Sequence, residues 1–532
     1  RALHEMATRN RSDIVIGKVA SDFRPVPQHL FRHNVEACTI RDTSLISSLT
    51  PHKMFRTAFL REHGLEFPEG RVRLEDQLFM VRAYLVAQTV SILADRVCYL
   101  YRRRDDGGNA GNRTTDPAQY FGNLREILEV VVANTDPGSF RTELLSRFYK
   151  TGMLARISEP WFNARTPEGR AAVFGEVHGL ADDFIDDDVE RSLGTMRRLR
   201  STLLRRGREA ETLTLTARLR QLEAAATVDG MRWAGPKLEV ELHAGLVLGE
   251  DRRSMAFVRR GGRAFLDPSL TDDVVDEPFE IVEPSPWGSV HLSLRERTTG
   301  TEWRVPAAVR VDLDQADAGT GEDRVHPVFR AVARVNVLRI AGGRQLPPGE
   351  WQLQVRVFGP GIDRRTSLAP GPGKALVPAM MATTGGGIVA VANVDANGAG
   401  VTVAAGSIEV PMAVPDGGAW RDTEVFARGR DGAPRRIGRI ERRGEAGVLV
   451  VPEVRAFDQA ARWRLVADAG GQGAPTPLVA TLDVVEPGEP AAVPGSRPAS
   501  VVTRAHRRAR RFIRGSHRVR ESRIVRILAR RQ

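Results

Sequence analysis

The chain has 532 residues, of which 42% are hydrophobic, and it carries a formal net charge of +12. This length and apolar content predict about three or four folded domains and exclude a wholly disordered chain. Only two cysteines, Cys38 and Cys98, are present, which excludes a disulfide scaffold and favours a reducing compartment.

Residues 1–112 mix strand and helix patterns, as is typical of an α/β domain. Apolar alternation at residues 13–19 predicts a strand, and residues 90–93 and 97–101 predict two more. Between the first strand and these two, residues 74–90 have apolar side chains at helical spacing, which predicts a helix. No run approaches the roughly 20 apolar residues that span a bilayer, and the arginine-rich start lacks the apolar core of a signal peptide.

Residues 113–235 are predicted to form a helical linker domain. Asp116 and Pro117 have the pattern of a helix N-cap followed by proline at the first helical position, and an apolar face then runs from Tyr120 to Val131. The pattern repeats after Pro137 and again after Pro167. Helices are therefore expected to about residue 228.

From Pro236 onward the hydrophobic period changes from 3.6 to 2, with Gly, Pro and Asp between the alternating runs. This pattern predicts two tandem immunoglobulin-like β-sandwiches, at residues 236–380 and 381–487. The predicted fold class is thus multidomain, α/β plus β. A Pro/Gly-rich linker follows at residues 488–503.

Residues 504–532, called the basic tail below, hold twelve arginines and one acid, Glu521. The tail therefore accounts for nearly all of the net charge, and the rest of the chain is almost neutral. Three partners compete for it: an anionic membrane surface, a polyanionic polymer and nucleic acid. Nucleic acid is the weakest of the three, because outside the tail there is no basic stripe with interleaved aromatics.

The densest local signal lies in the α/β part. Its motifs are Lys53-Met-Phe-Arg56, Phe67-Pro-Glu-Gly70 and Leu74-Glu-Asp76. Glu75 and Asp76 open a predicted helix, whose positive end stabilises carboxylates. Acids in a first turn are most often simple helix stabilisers, and the alternative is that one of them takes a proton from a hydroxyl group.

Several cations accompany these carboxylates. Lys53 and Arg56 are candidate substrate cations, although Arg56 would equally pair with an acid on a neighbouring loop. Arg102, Arg103 and Arg104 follow a predicted strand and precede a Gly/Asn-rich loop that ends at Asn112. They could bind phosphate or form a solvated basic turn. The histidines do not share metal-ligand spacing with the cysteines, so a structural zinc site is not expected.

In this order, the three motifs resemble the acceptor-side half of family 2 glycosyltransferases of the GT-A fold, over residues 13–112. The helical segment and β modules that follow are similar in layout to the polyribitol-phosphate N-acetylglucosaminyltransferases of wall teichoic acid synthesis. In that family a helical linker joins the catalytic domain to tandem immunoglobulin-like oligomerisation domains.

The resemblance implies roles for the candidate residues. Asp76 would be the catalytic base of an inverting displacement, with Glu75 beside it in the donor–acceptor cleft. The donor would be a nucleotide sugar, and a divalent metal, Mg or Mn, would offset the charge of the leaving diphosphate. Lys53, Arg56 and Asn112 would contact substrate, and residues 102–104 would cover the pyrophosphate or contact a phosphate-bearing acceptor.

One departure from the family pattern is serious. The family has a nucleotide-binding half with an Asp-x-Asp metal motif upstream of the strand at Asp13, and this chain has no such motif there. The aspartate runs at residues 182–188 and 272–273 are interpreted as caps and turns. We therefore expect the chain to be a fragment that binds a nucleotide sugar poorly, with the metal-ligand motif outside it.

The expected function is transfer of a sugar to an anionic cell-envelope glycopolymer such as a teichoic-acid-like acceptor. The expected location is cytoplasmic and peripheral on the inner face of the membrane, held by the basic tail. The β modules are expected to form a homo-oligomer, and no nucleic-acid partner is expected. The alternative is a non-catalytic oligomerisation or polysaccharide-binding protein with a degenerate glycosyltransferase remnant.

Overall fold

The computed structural model describes residues 1–485 with gaps at 22–25, 70–72, 103–115, 316–322, 372–378, 384–388, 396–397, 405–407, 413–422, 429–434, 444–445, 452–460 and 469–475. Several sequence predictions lie outside these residues: Gly70, Arg103, Arg104, Asn112, the 488–503 linker and the basic tail.

The first part of the chain forms a small α/β unit. Its elements are α1 (Ala2–Asn10), β1 (Ile14–Ser21), β2 (Val35–Cys38), β3 (Lys53–Phe55), α2 (Thr57–Glu62), α3 (Glu75–Val86) and β4 (Val90–Tyr101), with 3-10 turns at Gln28–Phe31 and Leu45–Ser47. The strand order is β2-β4-β1-β3, with β1 parallel to β4 and antiparallel to β3. Every residue of β1 is buried, as expected of a central strand covered on both faces.

The strand prediction for the end of this unit was wrong in one detail. The two predicted strands at residues 90–93 and 97–101 form one strand, β4. The register with β1 jumps from Leu93 opposite Gly17 to Val97 opposite Lys18. A bulge thus absorbs the polar residues that interrupt the apolar pattern.

Helices follow, in the segment predicted to be helical. They are α4 (Pro117–Ala133), α5 (Ser139–Phe148), α6 (Pro167–Phe184), α7 (Asp187–Arg191), α8 (Thr195–Arg205) and α9 (Glu209–Arg220), with a π-helical turn at Tyr149–Met153 and a 3-10 turn at Leu154–Ile157. Asp116 occupies the predicted N-cap position of α4 but makes no side-chain cap bond. Thr166 is the N-cap of α6 and accepts a hydrogen bond from the Gly169 N–H. No helix in the described ranges is long and apolar enough to cross a membrane.

The helices share one hydrophobic core with the α/β unit. Phe79 of α3, Leu124 of α4 and Leu145 of α5 belong to the same buried cluster as Ile16 of β1. The cluster continues through Val177 of α6. Apolar burial on this scale fixes the helices relative to the sheet, so residues of α4 and α5 can contribute to a site at the sheet's edge.

Strands begin earlier than predicted. The Ala-rich run after Leu222 matches a helical pattern, but it forms strand β5 (Leu222–Ala234). It pairs antiparallel with β6 (Lys237–Leu248), so that Leu222 lies opposite Leu248 and Ala234 opposite Lys237. Tertiary pairing here overrides local helix propensity, because the alternating residues of β5 are buried in the β core.

Within the described ranges, the strands from β5 onward form two sheets. The remaining elements are β7 (Arg253–Ser254), β8 (Phe257–Arg260), β9 (Arg263–Leu266), α10 (Pro268–Thr271), β10 (Ser289–Glu296), β11 (Glu302–Val305), β12 (Ala307–Gln315), β13 (Asp323–Asn336), β14 (Gly349–Gly359), β15 (Ile362–Ser367), β16 (Ala369–Pro370), β17 (Ala379–Thr383), β18 (Val389–Asp395), β19 (Gly398–Ala404), β20 (Ile408–Met412), β21 (Thr423–Arg428), β22 (Arg435–Arg443), β23 (Ala446–Val451), β24 (Ala461–Asp468) and β25 (Thr476–Val485). Strands β5, β6 and β13 pack against β10, β14 and β19 in one core.

The two β-sandwiches were predicted to meet at residue 380, but strands on the two sides of this boundary belong to one hydrogen-bonded sheet. One sheet runs from β11, β10 and β14 of the first predicted module into β19 and β18 of the second, then through β17, which crosses the boundary, to β25 and the remaining strands. The link is an antiparallel pairing that places Trp351 of β14 opposite Val401 of β19. Period-2 patterning predicts the strands but not which strand pairs with which, so this continuity was not predictable.

The β region packs directly on the α/β unit. Arg295 donates a 2.8 Å hydrogen bond to the Ser21 carbonyl, and Arg344 pairs with Asp95 at 2.8 Å. At Gly300, which has a φ of 66°, a Cβ would lie 1.9 Å from the Ser21 carbonyl oxygen. This hairpin therefore needs glycine both for its conformation and for its close approach to β1.

Lys18 of β1 is buried in this contact. Its ammonium donates to the Glu302 carbonyl at 2.8 Å and lies 3.3 Å from the centre of the Trp303 ring. Burial lowers the pKa of Lys18 from 10.5 to about 7, against the charge of Glu302, which raises it. The ammonium thus sits at the centre of the contact between the α/β unit and the β region.

We expect Lys18→Met to flatten the pH dependence of stability above neutrality. Between about pH 7 and 10.5 the unfolded chain binds a proton at Lys18 that the folded chain does not, so stability rises with pH. Removing this group removes a slope of at most about 1.4 kcal/mol per pH unit. Urea unfolding at pH 7.5 and 9.5 measures it, with the exposed Lys237→Met as the control that leaves the slope unchanged. Equal slopes in all three proteins would contradict this role.

Candidate active site

The two predicted carboxylates lie at the start of α3. Leu74 precedes the helix with a φ of 63°, a left-handed conformation that is unusual for leucine and that turns the chain sharply into the helix. Glu75 and Asp76 then occupy the first turn, and Asp76 Oδ1 accepts a 2.8 Å hydrogen bond from the Gln77 N–H. Burial raises the pKa of Asp76, and the charge of Glu75 raises it further.

Lys53 of β3 faces Asp76. Burial lowers the pKa of Lys53 to about 7, and the charge of Asp76 opposes this shift. The ammonium donates to the Thr50 carbonyl and lies 5.9 Å from the Tyr84 ring centre. Tyr84 is itself buried and donates to the Ser48 carbonyl at 3.0 Å, which fixes the floor of the site.

A second cation of the site comes from the helical segment and was not predicted from the sequence. Arg147 of α5 donates to the Ile46 carbonyl at 3.1 Å and also contacts Thr151. Burial lowers its pKa to about 10, while Tyr120 and Asp76 raise it. The only available signal was a cation beside the apolar face formed by Leu144, Leu145 and Phe148, a pattern that most often marks a solvated helix edge.

Tyr120 of α4 lies beside Arg147 and carries a further arginine. The Arg156 guanidinium stands 4.4 Å above the Tyr120 ring and donates to its hydroxyl at 2.9 Å. Arg156 comes from the 3-10 turn after the π-helical turn. The linker segment thus supplies Arg147 and, through Tyr120, a second arginine beside it.

The other predicted cations are placed differently. Arg56 forms an ion pair with Asp13 at 2.6 Å, and Asp13 also accepts from the backbone of Gln88 and Thr89. This is the structural alternative considered above, in which Arg56 ties β1 to β3. Arg102 directly follows β4, while Arg103, Arg104 and Asn112 are outside the described residues.

An aromatic cluster adjoins Lys53 and was not predicted. His52 stacks on Tyr99 with ring centres 4.0 Å apart, and its edge meets Tyr101 at 4.6 Å. Tyr99 remains 42% exposed. The two tyrosines lie at the carboxyl end of β4, the edge of a parallel pair at which α/β proteins bind ligands.

The described ranges hold no group of three or more His, Cys, Asp or Glu side chains arranged for a metal ion. Mg²⁺ is usually held by one or two carboxylates together with substrate phosphates. The buried carboxylate here, Asp76, already lies among the charges of Lys53 and Arg147, so the described residues do not fit the predicted Mg or Mn by themselves. We derive no chemical step through a metal.

Sequence comparisons identify the class of protein that this arrangement resembles. Residues 117–216 match the family described as the glycosyl transferase TarS linker domain. The chain is 30% identical over 141 residues to the poly(ribitol-phosphate) beta-N-acetylglucosaminyltransferase TarS of Staphylococcus aureus strain Mu50, covering 26% of this chain and 24% of that protein. It is 27% identical over 173 residues to a poly(ribitol-phosphate) beta-glucosyltransferase of Bacillus spizizenii strain W23, and this alignment covers 32% of this chain and 27% of that protein.

The resemblance to polyribitol-phosphate glycosyltransferases is thereby confirmed. The aligned segments span about a quarter of the length of these relatives. Among solved structures, a crystal structure of S. aureus TarS aligns with 89% of this chain and 81% of its own chain at 15% identity and a TM-score of 0.34. The structure of S. aureus TarS residues 1–349 in complex with UDP-GlcNAc aligns with 53% of this chain and 70% of its own chain, at 18% identity and a TM-score of 0.38. Scores this low do not define a shared fold, so the resemblance rests on sequence.

Proposed function

We propose that this chain is part of an inverting glycosyltransferase that moves a sugar from a nucleotide sugar to a poly(ribitol-phosphate)-like cell-wall polymer. The observation that carries the proposal is the cluster of Asp76, Lys53 and Arg147. Asp76 and Lys53 precede the TarS-linker match, and Arg147 lies within it. The relatives described above are poly(ribitol-phosphate) N-acetylglucosaminyl- and glucosyltransferases, and they supply the substrate class of the proposal.

In this proposal Asp76 is the general base. Its carboxylate takes the proton of an acceptor hydroxyl as that oxygen forms a bond to the anomeric carbon. The bond from this carbon to the diphosphate oxygen breaks, and UDP leaves with the electron pair. A base works best when its pKa lies near the working pH, and burial together with Glu75 raises the pKa of Asp76 in that direction.

Two cations complete the proposed acceptor site. The charge of Lys53 favours the ionised form of Asp76, and the charge of Arg147 interacts with the same carboxylate. Both would attract an acceptor whose units carry phosphate. His52, the residue before Lys53, stacks on Tyr99, and Tyr99 is exposed enough for a sugar ring to pack on it.

We further propose that the donor half comes from residues encoded upstream of Arg1, together with the divalent metal and its ligands. Reading the gene upstream of this point tests the proposal directly. In the protein as its gene encodes it, UDP release from UDP-GlcNAc or UDP-glucose should depend on added poly(ribitol phosphate). Polymer binding without any acceptor-dependent UDP release would instead support the non-catalytic alternative.

We also propose a homo-oligomer through the β modules. Strand β12 pairs only with β13 among the strands in view, and it exposes Val309 and Val311. Apolar residues exposed on an edge strand are typical of a surface that another chain covers.

We propose a cytoplasmic location on the inner face of the membrane, with the basic tail as the attachment. Vesicles with 30% anionic lipid should float the chain at low salt, and removal of residues 504–532 should abolish flotation, because about +11 of charge is lost. Neutral vesicles and high salt serve as controls, since screening weakens surface attraction. Equal flotation with and without the tail would contradict this role.

A further inference from the structure

A basic surface lies where the β region faces the α/β unit, apart from the cluster around Asp76. On the outer face of the sheet, His291 of β10 lies opposite Arg356 of β14, which in turn lies opposite Arg365 of β15. Arg304 of β11 lies beside this row, opposite Ser293. The turn at Gln28–Phe31 adds His29, and Arg32 follows it. We call His29, Arg32, His291, Arg304, Arg356 and Arg365 the interdomain basic patch.

Packing alone does not account for this arrangement. Like charges directly opposite one another on neighbouring strands destabilise a sheet. Arg356 is offset by Asp363, which it meets at 2.6 Å, and Arg365 by Glu302 at 3.3 Å. Arg32 and Arg304 are exposed and form no ion pair with any residue in view. The patch therefore holds four guanidinium groups but only two partner carboxylates among the described residues, and each carboxylate is already paired with one arginine.

The two halves of the patch face each other. The pKa of His29 is lowered by burial and then by the charges of Arg32 and Arg356, which come from different halves. The pKa of His291 is lowered by burial, by Arg304 and Arg356, and also by Arg32, against Asp363. Both histidines therefore lie among guanidinium groups that come from both halves of the patch. These guanidinium groups carry the positive charge of the surface.

A chain of contacts connects the patch to the candidate active site. His29 Nε2 lies 2.8 Å from the Ser47 hydroxyl. The neighbouring Ile46 carbonyl accepts the Arg147 hydrogen bond, and Arg147 is the cation that acts on Asp76. The Leu45–Ser47 turn therefore contacts the patch through His29 and the candidate active site through Arg147.

We propose that the interdomain basic patch holds phosphate groups of the acceptor polymer on units beyond the one that receives the sugar. The proposal rests on the proposed function, because it identifies the ligand as a phosphodiester-linked polyol. Guanidinium groups bind such phosphates through paired hydrogen bonds. Nucleic acid fits less well, since Phe358, the aromatic ring of the patch, lies against His291 and Arg356 at 4.8 and 4.9 Å rather than open for base stacking.

Binding of a fluorescein-labelled synthetic ribitol phosphate octamer tests the patch. The full chain is compared with the Arg32→Ala/Arg304→Ala double variant, and Arg206→Ala/Arg220→Ala serves as a control at two other exposed arginines. We expect the patch variant to bind about tenfold more weakly at 0.1 M salt. The slope of log affinity against log salt should fall by about 1.5, because two phosphate contacts are lost. The control should match the wild type, and the basic tail is present in all three proteins.

Unchanged affinity and slope in the patch variant, with the same thermal midpoint, would overturn the proposal. An equal or larger loss with a fluorescein-labelled single-stranded DNA octamer would also overturn it, because the surface would then bind nucleic acid or any polyanion. The measurement needs no sugar transfer. If the protein binds the octamer through the patch but transfers no sugar, only the proposed function is contradicted. If it transfers sugar but the patch variant binds the octamer as the wild type does, only the proposed role of the patch is contradicted.

Discussion

Asp76→Asn should lower the rate of sugar transfer by about 10²- to 10⁴-fold, the range that a positioned general base contributes. The amide has nearly the shape of the carboxylate, and its oxygen can still accept from the Gln77 N–H at the start of α3. It cannot accept the acceptor's proton at neutral pH. The loss should therefore fall on the maximal rate, while the midpoint of thermal unfolding stays close to that of the wild type.

The measurement is single-turnover sugar transfer in the protein as its gene encodes it. Asp187→Asn provides a matched control, because Asp187 also lies in the first turn of a helix, α7, but is exposed. The control should retain wild-type transfer. Turnover within about threefold of the wild type in Asp76→Asn would remove this carboxylate from the mechanism and leave it as a stabiliser of α3.

Of the substitutions proposed here, Glu159→Gln should lower the free energy of unfolding the most. Glu159 bridges two arginines: it pairs with Arg200 of α8 at 2.6 Å and with Arg364 of β15 at 3.1 Å. Arg364 also donates to the Leu219 and Leu222 carbonyls, so the network joins the helical segment to both β sheets. Burial lowers the pKa of Arg200 and Glu159 raises it, and loss of the carboxylate would leave a buried guanidinium uncompensated.

Breaking a buried pair by removing one partner costs about 3 kcal/mol. The guanidinium chloride unfolding transition that reports on the helices should therefore move to lower denaturant. Glu126→Gln is the control, since Glu126 pairs with Arg82 at the surface, where such pairs contribute below about 1 kcal/mol. If both variants shift the transition equally, the bridge at Glu159 does not hold the segments together.

Much of the fold follows from hydrophobic periods. The first strand, the helix starts at Pro117 and Pro167, and the strands of the β region appear where the patterns predict them. Two errors arose where pairing decides the structure. The Ala-rich β5 is a strand because β6 lies beside it, and the two predicted β modules share one sheet because β14 pairs with β19. A one-dimensional pattern carries no information about such partners.

The candidate site was predictable only in part. The order of local motifs led to Asp76, Glu75 and Lys53, which lie together at α3 and β3. Arg147 was not predictable, because it is remote in sequence and is brought to Asp76 by packing of α5 in the common core. Arg56 had two interpretations that only the ion pair with Asp13 distinguishes. The interdomain basic patch likewise depends on the docking of the β region on the Gln28–Phe31 turn.

The most direct test of the account is the anomeric configuration of the product. Proton NMR of poly(ribitol phosphate) after reaction with an α-linked UDP-sugar, catalysed by the protein as its gene encodes it, measures the coupling of the new anomeric proton. A single displacement assisted by Asp76 predicts a β-linked sugar on a ribitol hydroxyl, and loss of that signal in Asp76→Asn. An α-linked product, or a β-linked product formed equally well by the variant, would contradict the account.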